Sequence, residues 1–446
     1  MPSHRTRNYR TQVTWSAVFK IVMTLATLVT TRALFDLLGA EAYGAWSLIV
    51  SLQSWILLCD LGIGKGMRNH IARSLALGRI AEARAVIASA YALFALICLA
   101  LAALAVPVIL TLDWQRVLNL QAIAAPELTA AVAASLIFAL GALWAGLISQ
   151  VCGAVQLSAL PAGFSALNTT LFMVTALALA AGGARSIALI VAIQGALTLL
   201  CHGLLTARLL AERPDLRPDR LRPGAQAPAL LSAGARFFVL QCAMLVIFAT
   251  DRLLIARLIG PGQIAQYDMV YKLFSLLITC HILVVSPLWS AFTDAFHRGE
   301  FGWIRRAMMG QLRLVLLSGA AALTLAALAP RIIAIWIGPD LRIDPALPWA
   351  MALFAIFLMW NNLFGALLNG IGALRAQIIS AAIGAALNIP LSILLVRYLG
   401  AGVSGIVLAT AASITMQSLA LPLAAARWLS PRPDAPAGPG HTTVQA

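Results

Sequence analysis

Several charged residues stand inside stretches of sequence that are otherwise apolar, and their spacing defines the chemistry open to this chain. Lys20, Thr24, Thr27 and Thr31 fall at i, i+4, i+7 and i+11, so they share one helix face. Arg32 lies beside that stripe, with Asp36 one turn further on. Asp251 and Arg252 are adjacent, and Asp268 and Lys272 are four apart with Ser275 and Thr279 along the same face. Arg236 and Arg313 sit near the ends of two more apolar stretches. In hydrocarbon such a charge costs about 2.5–3.5 kcal/mol, so it needs a partner or a wet cavity. Arg32–Asp36 and Asp268–Lys272 can be intrahelical ion pairs, and Lys20, Arg236 and Arg313 can snorkel to a nearby surface. Alternatively, these cations line a cavity that accepts an anionic group.

The elements that carry them are membrane-spanning helices. Of the 446 residues, 61% are hydrophobic and 11% charged, against roughly 25% charged in soluble domains. Twelve spans are expected at 14–38, 43–64, 85–111, 128–151, 163–182, 186–209, 231–258, 266–293, 308–329, 346–370, 376–399 and 402–427. Their continuous apolar character lacks the alternation of a barrel strand, so the chain is read as an all-α polytopic membrane protein.

The second half repeats the first. Ala166-Leu167-Asn168-x-x-Leu171 recurs as Ala386-Leu387-Asn388-x-x-Leu391 at an offset of 220. Gly78-x-Ile80-x-x-x-Arg84 recurs as Gly299-x-Phe301-x-x-x-Arg305, and Leu38-Gly39 as Ile259-Gly260, both at 221. Ala207-Arg208-Leu209-Leu210 matches Ala426-Arg427-Trp428-Leu429 at 219. Six spans per half is an even number, so the halves insert the same way up, related by a pseudo-two-fold along the membrane normal. The expected division is 1–211 and 231–428 for the six-helix halves, 212–230 for an Arg/Pro-rich linker and 429–446 for a disordered tail. Two like halves are the usual construction of a transporter, with the substrate path between them.

Loop charge sets the orientation. Nineteen Lys and Arg fall on the side of both termini, including those at 65–84 and 208–222, against five on the other side. The positive-inside rule then puts both termini in the cytoplasm. The net charge of +15 is spread over short loops, which excludes nucleic-acid binding and favours anionic lipid headgroups. A basic amphipathic stretch over Arg68–Leu77 reads as a surface helix, either lying on lipid phosphates or forming a cytoplasmic collar. Cys59, Cys98, Cys152, Cys201, Cys242 and Cys280 lie in or beside apolar segments and are expected as buried free thiols. Asn168 and Asn388 are expected to make interhelical hydrogen bonds. No Ser/His/Asp arrangement, His/Cys metal spacing or Gly-rich phosphate loop occurs, so no enzyme activity, cofactor or metal is expected.

Leu37-Leu38-Gly39-Ala40-Glu41-Ala42-Tyr43-Gly44 followed by Asp60-Leu61-Gly62-Ile63-Gly64 resembles the opening of Wzx-type polysaccharide flippases. Thr250-Asp251-Arg252-Leu253-Leu254-Ile255, then Ile259-Gly260-Pro261 and Tyr267, is similar to that family too. These flippases belong to the multidrug/oligosaccharidyl-lipid/polysaccharide exporter superfamily, which implies a MATE-like arrangement of twelve helices. The resemblance implies movement of an undecaprenyl-diphosphate-linked glycan from the inner to the outer leaflet of the bacterial cytoplasmic membrane. The polysaccharide polymerase and chain-length proteins are then the implied partners. Lys20, Arg32, Arg236, Arg252, Lys272 and Arg313 would shield the diphosphate, whose passage through hydrocarbon is otherwise prohibitive. Asp60 and Asp251 are candidates for ion coupling, although Asp251 can equally form a permanent pair with Arg252 or across helices. The alternatives are a drug exporter of the same superfamily, a lipid II-type flippase, which usually has additional helices, and a non-transporting scaffold.

Overall fold

A computed structural model describes residues 4–57, 63–155, 157, 159–218, 250–285, 288–371, 373 and 375–429. Among these the regular elements are helical: α1 (His4–Leu57), α2 (Ile63–Ala76), α3 (Ile80–Thr111), α4 (Trp114–Leu118), α5 (Ala125–Ala145), α6 (Leu147–Ala154), α7 (Ala159–Gly182) and α8 (Ile187–Glu212). A 3-10 turn, Pro214–Leu216, follows α8. Then come α9 (Asp251–Leu258), α10 (Gln263–Val285), α11 (Leu288–His297), α12 (Phe301–Trp336), α13 (Leu347–Gly370), α14 (Arg375–Arg397) and α15 (Gly402–Leu429). Ten stretches of the described residues are long and apolar enough to cross a membrane. The protein is a multi-pass membrane protein.

The first two expected spans are the two arms of α1, which meet at Gly39 with φ 74° and ψ 175°. That region of backbone space is essentially open to glycine alone, so one residue type sets the bend. The seventh expected span lies outside the described residues apart from its last turns, which form α9.

The chain divides into two compact units, Met1–Met269 with Ile333–Arg342, and Val270–Ile332 with Ile343–Ala446. In the first unit α5 packs on α8 because Gly195 leaves room: a Cβ there would come within 2.3 Å of Phe138. Small residues allow this close approach between membrane helices. Glu127, in the first turn of α5, accepts hydrogen bonds from the Ser186 hydroxyl at 2.8 Å and the Ala188 amide at 3.0 Å, tying together the starts of the two helices. The amphipathic α2 turns Ile63, Met67 and Ile71 inward onto Val86, Ile87, Ala90 and Val151, burying them against the protein. Its exposed face carries Arg68 and Arg73.

The sequence repeat reappears in the backbone of each unit separately. After α2, Gly78 (φ 71°) donates to Leu75 and Arg79 to Ser74; after α11, Gly299 (φ 72°) donates to Phe296 and Glu300 to Ala295. Each glycine takes the left-handed geometry that closes a helix C-terminus. The two asparagines also correspond. The Asn168 amide donates to Thr198 Oγ1 at 3.2 Å, and that of Asn388 to Thr410 Oγ1 at 3.1 Å, each linking consecutive helices. Of the cysteines, Cys152 and Cys201 are buried and Cys98 is partly so, but Cys280 is exposed, contrary to expectation. It stands one turn before Val284, which is 48% exposed on the same face of α10.

Candidate functional site

The first arm of α1 separates two faces. Trp15, Val18, Val22, Leu25 and Val29 form an exposed apolar stripe, with exposures from 41% to 58%. At about 100° per residue, Lys20, Thr24, Thr27 and Thr31 lie on the opposite side. Lys20 is exposed, Thr24 and Thr27 are half-buried, and Thr31 is buried. The hydroxyls of Thr24 and Thr27 donate to the carbonyls of Lys20 and Met23, both at 2.8 Å. This polar face is therefore open at Lys20 and satisfied internally further along, and it points away from the surface suited to lipid.

A buried polar cluster lies where the second arm of α1 meets α9 and the first turns of α10. Adjacent residues of α9 pair with adjacent residues of α10, both sixteen positions on. Tyr267 donates its hydroxyl to Asp251 Oδ2 at 2.9 Å, and Arg252 Nε donates to Asp268 Oδ1 at 2.9 Å. Arg252 Nη2 reaches the same oxygen at 2.8 Å, with the Arg252 side chain 20% exposed and that of Asp268 only 1%. Ser47, on α1, donates to Asp268 Oδ2 and receives Arg252 Nε at 3.1 Å. The guanidinium also stands 5.6 Å from the centre of the Tyr267 ring, within cation–π range. Tyr43, fully buried, shares a hydrogen bond with Thr31 and feels the charges of Asp268 and Arg252. Asp251 occupies the first turn of α9, where the helix dipole favours a carboxylate.

The same end of this unit carries further ties. Arg32 binds Asp36 at 2.6 Å and donates through Nη1 to the Trp336 carbonyl at 2.9 Å. Trp336 Nε1 returns a bond to the Leu28 carbonyl at 3.2 Å. Asn119 Nδ2 donates to the Ala256 carbonyl at 2.8 Å, and Arg257 Nη1 to that of Arg116 at 3.0 Å. Gly44 lies so close to the loop before α10 that a Cβ would fall 2.2 Å from the Pro261 carbonyl oxygen. Together these contacts clasp α9, the start of α10 and the end of α12 onto α1 and α4.

Arg252 and Asp251, two of the residues singled out from sequence, therefore meet in one cluster. Arg252 takes Asp268, an interhelical partner, and Asp251 takes Tyr267. Arg32 pairs with Asp36 along its helix, as one of the two expectations held. Lys272, half-buried on α10, and Arg313, exposed on α12, belong to the second compact unit. Arg236 and Asp60 lie outside the described residues.

Sequence reasoning missed Ser47 and Trp336, and it named Tyr43 and Tyr267 only as carriers of the family resemblance. The repeat contained a signal for the first: adding 221 to Ser47 gives Asp268, and to Thr31 gives Arg252. The first repeat thus places hydroxyls where the second places an ion pair. Repeat-equivalent Ser47 and Asp268 then touch. Among the described residues no group of three His, Cys, Asp or Glu side chains gathers to hold a metal.

No protein-family model matches the sequence, and no curated protein matches it. Solved structures do. A multidrug-resistance MATE family transporter of the MOP superfamily in an inward-facing conformation aligns with a TM-score of 0.76 at 15% identity, covering 91% of this chain and 94% of its own. The fold is the MATE fold. The lipid II flippase MurJ, in an inward closed conformation, aligns at 0.68 with 15% identity over 92% of this chain and 87% of its own. A MOP superfamily transporter from Pyrococcus furiosus, for which reverse polarity of the binding pocket suggests a different function, aligns at 0.64 with 14% identity over 93% and 94%.

Proposed function

We propose that this protein is a transporter of the multidrug/oligosaccharidyl-lipid/polysaccharide exporter superfamily. Its cargo is an undecaprenyl-diphosphate-linked oligosaccharide, moved from the inner to the outer leaflet of the bacterial cytoplasmic membrane by alternating access. The observation that carries this reading is the open polar face headed by Lys20 on a membrane-crossing arm of α1, opposite its apolar stripe. A lysine held at such a place can receive a phosphate group without an obligatory counter-ion. Arg32 and Arg252 are proposed to join this path when their ion pairs with Asp36 and Asp268 open, and Lys272, Arg313 and Arg236 to serve the same anionic cargo. The likeness in fold to a lipid II flippase supports a lipid-linked cargo.

The clasp around Arg252 and Asp268 is, in this proposal, the closed external end. Its loops include Arg116 and Arg342 with Asp113, Asp340 and Asp344, the side with the smaller cationic excess. The termini are then cytoplasmic, and release of cargo requires the clasp to part. Asp251 is proposed to take up a proton there as Tyr267 moves away. The likeness in fold to a multidrug-resistance transporter favours a second reading, export of cationic drugs. That reading requires acidic groups to face the cargo path, whereas Asp251 and Asp268 are both occupied by partners.

A deletion strain tests the proposal. It should accumulate lipid-linked oligosaccharide on the cytoplasmic side, corrected by the intact gene and not by a Lys20→Ala, Lys272→Ala double variant present at equal amount in the membrane. Absence of accumulation, or full correction by that variant, overturns the assignment.

A further inference from the structure

A cavity of about 630 Å³ lies within the first compact unit, lined by none of the clasp residues. It is bounded by α3, α5, α6, α8 and the turn Pro214–Leu216 that follows α8. Its volume falls in the range of about 300–1,000 Å³ typical of ligand pockets. The lining is mainly apolar, with Tyr91, Trp144 and Ile148 among its walls. Along α8 it extends from Leu199 to Leu210, which at about 1.5 Å per residue is roughly 16 Å of hydrocarbon depth. At its rim, where α8 gives way to the turn, stand Arg217 and Pro218.

Local chemistry builds this rim. Arg213 holds Asp215 at 2.7 Å, folding the turn so that Leu216 is 1% exposed and the next side chain, Arg217, projects to the exposed surface. Among the described residues Arg217 has no carboxylate partner. Inside, Tyr91 is only 9% exposed. The Trp144 indole is already committed to the Tyr91 carbonyl at 3.1 Å. Gly203 faces open space, with nothing within 4 Å of where a Cβ would stand. Leu200 and Leu204, on neighbouring positions of α8, are 51% and 45% exposed, so the cavity borders a lipid-suited surface.

We infer that this cavity binds one acyl chain of an anionic membrane phospholipid, with the phosphate seated on Arg217. The match is one of polarity: a deep apolar slot in the membrane, with a cation at its mouth, complements an amphiphile with an anionic head. Basic pockets between helices at a membrane edge commonly hold anionic headgroups. The inference needs only that α5 and α8 cross a bilayer, and it stands apart from the transport cargo.

Trp144 serves as the reporter. The full-length protein is reconstituted in vesicles containing brominated phosphatidylglycerol or brominated phosphatidylcholine at equal mole fraction. The contribution of Trp144 is the difference in quenching between the wild type and Trp144→Phe. The phosphatidylglycerol form should half-quench this signal at a mole fraction about fivefold lower, the effect of one basic residue beside a lipid anion. Arg217→Gln should bring the two lipids within about twofold of each other. Gly203→Leu, which fills the slot, should weaken quenching by both. Equal quenching by both lipids in the wild type, or a preference that survives Arg217→Gln, overturns the inference. So does a preference that inorganic phosphate competes away, because the site would then recognise free phosphate rather than lipid.

Discussion

Replacing Arg252 by Met leaves the Asp268 carboxylate, 1% exposed, with Ser47 as its remaining partner from the pair's own cluster. Removing one member of a buried ion pair typically costs about 3–5 kcal/mol, and with the Arg252 side chain 20% exposed the lower end applies. Since about 1.4 kcal/mol is tenfold, a cost of about 3 kcal/mol shifts the clasp toward parting by roughly 150-fold. Ser51, 8% exposed and one turn along α1 from Ser47, reports on this. Among the described residues its hydroxyl bonds to the Leu48 carbonyl of its own helix, at 2.7 Å, so Ser51→Cys disturbs little. On a background lacking the native cysteines, a membrane-impermeant maleimide added to intact cells should label this position up to about 150-fold faster in Arg252→Met. The double variant Arg252→Met, Asp268→Leu removes both charges and should return labelling to within about threefold of the parent, because an apolar pair often replaces a buried ion pair at little cost. Unchanged labelling in Arg252→Met, with the protein folded and in the membrane, refutes the assignment of this pair as what holds the end closed. Equal acceleration in the single and double variants points to lost packing instead.

Other substitutions test separate parts of the account. Gly44→Ala should accelerate the same labelling with every charge intact, because its methyl would fall 2.2 Å from the Pro261 oxygen; no acceleration means the loop yields freely. Gly39→Ala meets nothing within 4 Å, so its expected loss of about 1–3 kcal/mol is backbone strain alone, read as a lower Tm in detergent. Gly262→Ala has equally empty surroundings and no positive φ and should be near neutral, so equal Tm values for the two variants contradict the argument. Asp251→Asn keeps an acceptor for Tyr267 yet cannot carry a proton. Flipping driven by a pH gradient should disappear while slow equilibrative exchange persists, and an unaltered gradient dependence removes Asp251 from coupling. The hydrogen bond from Arg213 holds the Asp215 carboxyl below the usual carboxylate range. Its stabilising contribution is thus present above the unfolded value of about 3.9 and fades as pH falls through the lower folded value. Asp215→Asn should lower Tm slightly at neutral pH, and the difference should vanish in strong acid; a pH-independent difference contradicts the linkage.

What the sequence made legible follows from how each feature is encoded. Span positions were readable because hydrocarbon imposes length and continuous apolarity on each helix separately, and the ends of α3, α7, α8, α13, α14 and α15 fall close to the expected ones. The repeat was readable because Gly78 and Gly299 need the same left-handed backbone, and because Asn168 and Asn388 each serve an interhelical bond. The bend of α1 was legible in the same way: the expected spans part between residues 38 and 43, and the two arms meet at Gly39. Partner choice was least legible. Asp268 and Lys272 share a helix face by spacing, yet Asp268 is held by Arg252 and Ser47, sixteen and 221 residues away. Helical periodicity describes neighbours along one helix, whereas these contacts depend on which loops fold together. Comparing polar residues at the repeat offset would have brought Ser47 to notice, since it occupies the position of Asp268.

The central claim is tested most directly by reconstituting the purified protein in vesicles with an undecaprenyl-diphosphate-linked oligosaccharide and following the arrival of its glycan at the opposite leaflet with an impermeant glycosidase. The account predicts that the wild type makes the inner pool accessible, that the Lys20→Ala, Lys272→Ala variant does so far more slowly, and that a cationic drug does not compete. Translocation no faster than in protein-free vesicles, or full activity in the doubly neutralised variant, contradicts it.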